Sequence, residues 1–133
     1  MTGTTAVLTA TAGAADGPAA TQPWEDRTLV RRLVDQLASL GIGAVHVITR
    51  PEWEGDLRAA LAGHEIPVSV VASAGAAGDL TAVARIAAGG SGRLILAYAD
   101  LLTHREALAG LLADPRVPTG ILAAFDRVDD AGA

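Results

Sequence analysis

The chain of 133 residues contains no cysteine and no lysine, and only 3% of its residues are aromatic. The lack of cysteine excludes disulfides, thiolate zinc sites and a cysteine nucleophile. Acidic residues outnumber basic ones by 15 to 10, which disfavours a nucleic-acid-binding surface. No apolar run approaches the roughly 18 residues of a membrane-spanning helix, and no basic segment precedes the first apolar run. We therefore expect a soluble, cytoplasmic protein without direct membrane insertion.

Half of the residues are hydrophobic, and most of these are small aliphatic residues. They are concentrated in short runs rich in β-branched residues, which are typical of strands buried on both faces of a parallel sheet. The runs are "AVLTA", "AVHVIT" (44–49), "VSVVA" (68–72), "RLILAY" (93–98) and "TGILAA" (119–124). Five strands are therefore predicted.

Segments with helical spacing separate these runs. Apolar residues of "DRTLVRRLVDQLASLG" form one stripe, and Gly41 follows as a helix stop. A second helix is predicted over 51–63, a third over about 79–88, and a fourth over 103–114. The fourth begins with a capping-box pattern, Thr103 followed by Glu106.

The alternating order predicts an α/β fold with three α/β/α layers around an open, mostly parallel, doubly wound sheet of about five strands. One domain is expected over 1–124, with a polar tail or linker over 125–133. Ligands of such sheets bind beyond the carboxyl ends of the strands, where the strand order reverses. The loops over 10–25, 73–79 and 99–103 are therefore the candidate site.

Each loop leaves two interpretations open. The first carries Gly13 and Gly17 but matches neither common phosphate-loop signature, so it is either a ligand loop or a plain connection. Asp100, after "LILAYA", either holds Mg²⁺ or caps the next helix.

Small residues in "SAGAAGDL" (73–80) either admit a base or sugar or allow close packing. The candidate residues in this loop are Gly75, Gly78 and Asp79. Two tryptophans, Trp24 and Trp53, lie near helix starts, where they either cover the edge of the core or stack on a base.

The stretches "AVLTATAG", "TLVRRLVDQLASLGIGAVHVITRPE", "AGDLTAVARIA" and "RLILAYAD" together resemble the N-terminal half of sugar-phosphate nucleotidyltransferases, which have a glycosyltransferase-A-like Rossmann fold. The likeness covers roughly residues 5–124. The composition is also similar to the nucleotidyltransferase-like region that precedes a membrane phosphatidyltransferase in some actinobacterial proteins.

This resemblance implies binding of a nucleoside triphosphate and a phosphorylated sugar or alcohol, with Mg²⁺ held by Asp100. It assigns the triphosphate to the first loop, through Ala10, Thr11, Ala12, Gly13 and Ala14. It names no catalytic residue. The family carries basic residues in this loop, but "AGAADGPAATQPWED" has none, which predicts weak or absent nucleotidyl transfer.

Two other classes of function remain. One is a non-catalytic interaction, scaffold or regulatory domain, with a homodimer or a C-terminal domain as partner. The other is a receiver-like domain, which would need acidic residues after the first strand and a lysine after the fifth. Thr9 and Thr11 stand at those acidic positions, and the chain has no lysine.

Overall fold

The computed structural model describes residues 4–14, 17–89, 93–100, 106, 109–110 and 119–122. Its strands, in chain order, are β1 (Thr4–Ala10), β2 (Gly13–Ala14), β3 (Gly17–Pro18), β4 (Pro23–Trp24), β5 (Arg27–Thr28), β6 (Ala44–Thr49), β7 (Val68–Ala72), β8 (Arg93–Tyr98) and β9 (Thr119–Leu122). Its α-helices are α1 (Leu29–Ser39), α2 (Glu54–Ala60) and α3 (Ala76–Gly89), and short 3-10 helices span Ala19–Thr21 and Pro51–Trp53.

Five strands form one sheet in the order β7-β6-β1-β8-β9, and every neighbouring pair is parallel. All five predicted strands are present, and the α/β class is confirmed. The pairs β2-β3 and β4-β5 form two small antiparallel ribbons between β1 and α1. These ribbons were not predicted, because two-residue strands leave no periodic signal.

Helix α1 begins and ends where its sequence indicates. The hydroxyl of Thr28 accepts a hydrogen bond from the backbone N–H of Arg31 at 3.2 Å, so Thr28 is the N-cap. Gly41 has a φ of +93°, a conformation that glycine adopts without strain, and the chain leaves the helix there. The buried stripe consists of Val30, Leu33, Val34 and Leu37.

The main core lies between one face of the sheet and helices α1 and α2. Ala6, Leu8, Val45 and Val47 from the central strands pack there in one cluster with the buried stripe of α1 and with Leu57 of α2. Burial of aliphatic side chains on this scale is the main source of stability in such a domain.

Helix α3 differs from α1 and α2, because none of its residues is buried. It starts three residues earlier than predicted, and one of its apolar side chains, Leu80, is 72% exposed. The right-handed crossover rule places α3 on the face of the sheet opposite α1 and α2. The three-layer arrangement therefore stays a prediction.

The predicted fourth helix lies mostly outside the described residues. Glu106, Ala109 and Gly110 are helical, whereas Thr103, the other half of the predicted capping box, is not described. The tail over 125–133 is likewise outside the described residues. Within the described part of the chain, no helix has the length and apolar character needed to cross a membrane.

Candidate functional site

The sheet reverses its strand order at β1. The chain proceeds from β1 to β6 and β7 on one side and then to β8 and β9 on the other. The backbone N–H of Ala99 donates to the carbonyl of Thr9 at 2.9 Å, so the β1-β8 pairing extends past Tyr98. Asp100 follows β8 at the carboxyl edge of the sheet, and the predicted loop follows β1 at the same edge.

The described part of the loop after β1 forms two antiparallel ribbons. Its first part is the β2-β3 ribbon, and the backbone N–H of Ala19 donates to the carbonyl of Ala12 at 2.8 Å. Its second part is the β4-β5 ribbon, which turns at Glu25 with a φ of 58°. Of the residues assigned to phosphate, Ala10 is buried and Thr11 half-buried. Ala12, Gly13 and Ala14 are exposed.

Gly13 has a packing role within this loop. A β-carbon built on Gly13 would lie 3.3 Å from the Cη2 atom of Trp53, closer than most carbon atoms of this kind approach a neighbour. Trp53 is itself half-buried and packs against the main core. Trp53 therefore covers an edge of the core, which is one of the two roles expected for it, and a larger residue at position 13 would displace its ring. Trp24 lies in β4 and is 40% exposed.

Three polar residues form a cluster at the carboxyl ends of β6 and β7. The guanidinium of Arg50 donates to both carboxylate oxygens of Asp79, at 2.7 and 3.0 Å, and to the Ser73 hydroxyl at 3.0 Å. Ser73 in turn donates to Asp79. The hydrogen bonds from Arg50, together with the weaker effect of Ser73, hold the pKa of Asp79 below its ordinary value despite partial burial. The same pairing raises the pKa of Arg50.

Two of the residues predicted to admit a base or sugar, Gly78 and Asp79, have packing or hydrogen-bonding partners in this cluster. Asp79, in the first turn of α3, joins the helix to Arg50 after β6. A β-carbon on Gly78 would lie 3.1 Å from that of Ser73, so the glycine permits close packing between α3 and the end of β7. Gly75 accepts a hydrogen bond from the backbone N–H of Asp79 through its carbonyl, at 2.9 Å.

Asp79 and Asp100 are not a carboxylate pair. They lie beyond β7 and β8, which are separated by β6 and β1 in the sheet. Three strand spacings amount to roughly 14 Å. Among the described residues, no group of three or more His, Asp or Glu side chains converges on one point. Asp100 is thus the carboxylate that the described structure places at the β1-β8 switch point.

A second charged network was not anticipated from the sequence. Asp35 of α1 accepts from Arg27 at 2.5 Å through one oxygen and contacts Nε2 of His64 at 2.8 Å through the other. The backbone N–H of Ile66 donates to Nδ1 of His64 at 3.4 Å, which leaves Nε2 as the donor to Asp35. His64 is almost fully buried, with 3% of its side chain exposed. The pKa of Arg27 is raised, first by the charge of Asp35 and then by that of Asp26.

This network borders a polar surface cavity of about 440 Å³. Its lining includes Arg27, Arg31 and Asp35, and Arg31 donates to the carbonyl of Ala62 at 2.9 Å. Both arginines already contact acceptors of the protein. The network therefore ties α1 to β5 and to the segment that follows α2, and its polar groups are used internally.

Comparison with known proteins does not assign the chain to a family. No protein-family model matches the chain, and no curated protein matches it significantly.

Proposed function

We propose that the carboxyl edge of the sheet, between β1 and β8, binds a nucleotide or a phosphorylated sugar or alcohol. The observation that carries this proposal is the reversal of strand order at β1, which leaves the loop after β1 and Asp100 after β8 at the same edge of the sheet. Switch points of open parallel sheets are where such ligands bind, because the loops diverge there and leave a crevice. The family resemblance points to the same edge.

Asp100 suits Mg²⁺ as a ligand. Mg²⁺ usually takes one or two protein carboxylates and completes its octahedral shell with water and substrate phosphate oxygens. The single half-buried carboxylate of Asp100, at the carboxyl edge of the sheet, supplies that minimum. When bound, the ion would neutralise phosphate charge, and the backbone of 12–14 would orient the phosphate through its N–H groups.

Nucleotidyl transfer is not expected to be efficient. Phosphoryl chemistry depends on cations placed around the phosphate oxygens, each often worth a few kcal/mol in a dry site. The described part of the first loop has no basic residue before Arg27, which is paired with Asp35. Arg50, at the end of β6, is held by Asp79. We therefore propose binding with weak or no catalysis.

Calorimetric titration with CTP, UTP, GTP and ATP, with and without Mg²⁺, tests this proposal. We expect Mg²⁺-dependent binding of at least one nucleotide in the wild-type protein, weakened at least tenfold by Asp100→Asn. Asp26→Asn is the matched control, because Asp26 is an exposed loop carboxylate whose side chain is 82% exposed. Absence of binding at millimolar nucleotide would refute the ligand proposal, and equal affinity of Asp100→Asn would refute the role of Asp100.

A second candidate function is a non-catalytic interaction domain that forms a homodimer. Helix α3 favours it, because this 14-residue helix, which has six alanines and one residue each of leucine, valine and isoleucine, has no buried residue and exposes Leu80. Light scattering over a wide concentration range tests this function. A dimer that Leu80→Glu dissociates would support it, whereas a monomer at all concentrations would contradict it.

A further inference from the structure

Strand β7 lies at one edge of the five-stranded sheet, with β6 as its neighbour. The carbonyl of Pro67 accepts from the N–H of Val45 at 3.0 Å, and the N–H of Ser73 donates to the carbonyl of Thr49 at 2.8 Å. The backbone groups of residues 67 and 73 thus both form hydrogen bonds with β6. In a parallel strand the N–H and C=O of one residue point to the same side, and the side alternates along the strand. The backbone groups of 68, 70 and 72 therefore point away from the sheet.

Arg58 of α2 covers the centre of this outward edge. Its Nη2 atom donates to the carbonyl of Val70 at 3.0 Å, and Val70 is the middle residue of the five-residue strand. Glu54, one helical turn earlier, accepts from Arg58 Nε at 3.1 Å and from Nη2 at 2.5 Å. The guanidinium is thus held over the strand by two partners, while 58% of the Arg58 side chain remains exposed.

Without Arg58, an edge strand of this kind would be a template for another strand. A twofold-symmetric dimer would pair β7 with β7 of a second copy. If the two strands ran antiparallel with Val70 opposite Val70, the outward backbone groups of Val68, Val70 and Ala72 in each copy would face those of the other. That pairing would use the Val70 carbonyl as an acceptor for the second copy. It would also bring the two Arg58 side chains together across the symmetry axis.

We propose that Arg58 is a gatekeeper that prevents β7 from pairing with β7 of a second copy. Three effects act together. Its guanidinium occupies the central outward carbonyl, its side chain fills the space in which the second strand would lie, and its positive charge would meet that of the second Arg58. Glu54 acts as the positioning residue, because its carboxylate fixes the guanidinium over the edge. This role is independent of ligand binding at the carboxyl edge and of an interface at α3.

Sedimentation velocity of Arg58→Met and Arg58→Ala tests the proposal. Methionine keeps the length of the aliphatic stem but removes the charge and the donors, whereas alanine also clears the space. We expect both variants to self-associate at concentrations at least tenfold below those at which the wild-type protein does. Arg32→Met is the matched control, because it removes an arginine of α1 that contacts Gln36 on the same helix and lies away from β7 in the chain.

Hydrogen exchange identifies the surface that associates. The amides of Val68, Val70 and Ala72 should gain protection with concentration in the Arg58 variants and not in Arg32→Met. Unchanged association of both Arg58 variants would overturn the proposal. Association that leaves these three amides unprotected, or a wild-type dimer already protected at them, would overturn it as well.

Discussion

The Arg50–Asp79 pair allows a quantitative prediction. It joins the end of β6 to the first turn of α3 through two hydrogen bonds of 2.7 and 3.0 Å, with about a fifth of each side chain exposed. Helix α3 has no buried side chain, so few other contacts hold it in place. Substituting Asp79→Asn keeps the size of the side chain but removes its charge and one of the two oxygens that accept from Arg50.

The expected loss in the free energy of unfolding is about 2 kcal/mol. Hydrogen bonds to charged groups contribute about 1.5–3 kcal/mol each when measured by removal, and residual solvent access reduces the effect of this pair. In a domain of this size, about 2 kcal/mol lowers the melting temperature by roughly 8 °C. Because domains are stabilised by only about 5–15 kcal/mol in total, the effect is easily measured.

Urea unfolding of the wild-type protein, Asp79→Asn, Arg50→Met and the double variant forms a double-mutant cycle. We expect a coupling free energy of about 1–2 kcal/mol, since both single changes remove the same interaction. Ser73→Ala measures how much the hydroxyl contributes to the same cluster. Simple additivity of the two single effects would refute the role of this pair as an anchor for α3.

The pair also predicts a dependence on pH. The pKa of Asp79 is lowered in the folded state, so its contribution is fully present above the ordinary aspartate value of about 3.9 and is lost as the pH falls through the folded value. The difference in unfolding free energy between the wild-type protein and Asp79→Asn should therefore be constant near neutrality and shrink below about pH 4. A difference that stays constant down to about pH 2.5 would contradict this prediction.

Three further predictions concern packing and capping. Thr28→Ala should lower the free energy of unfolding by about 1 kcal/mol, while Thr28→Ser retains the N-cap hydrogen bond; equal losses in urea unfolding would contradict the cap. Leu33→Ala, at a fully buried position, should cost about 3 kcal/mol in the same assay, and a loss below about 1 kcal/mol would argue against close packing of α1 on the sheet. Gly13→Val should shift the fluorescence emission of Trp53 to longer wavelength, measured in a Trp24→Phe background, and unchanged emission would contradict the Gly13–Trp53 contact.

The strands and α1 could be predicted from sequence because their signals are local. Buried parallel strands are continuous apolar runs, and the stripe, N-cap and terminal glycine of α1 lie within 14 residues. The carboxyl edge followed from the alternation of strands and helices, together with the rule that ligands bind where strand order reverses. The position of Asp100 at that edge follows from the same two observations, because Asp100 comes just after a predicted strand.

The contacts within the candidate site could not be predicted in this way. Asp79 meets Arg50 and His64 meets Asp35, each across 29 residues of sequence. Trp53 meets Gly13 across the loop, the first 3-10 helix and all of α1. No periodicity links such residues, since their proximity depends on the strand order and on the fold of the first loop. A glycine that suggests a phosphate contact can therefore also have a packing partner.

The folded loop also changes what Asp100 can be expected to do. A flexible loop could close over a ligand and supply many contacts, but here the two ribbons fix the backbone of 13–14, 17–18, 23–24 and 27–28, and Gly13 packs against Trp53. The exposed residues in the described part of the loop are 12–14 and 23–27. In the proposed site these residues offer backbone dipoles but no unpaired cation, so most of the attraction for a phosphate would come from a metal ion on Asp100. For this reason the Mg²⁺ dependence of binding, rather than its strength, is the property that separates a ligand site at this edge from a purely structural loop.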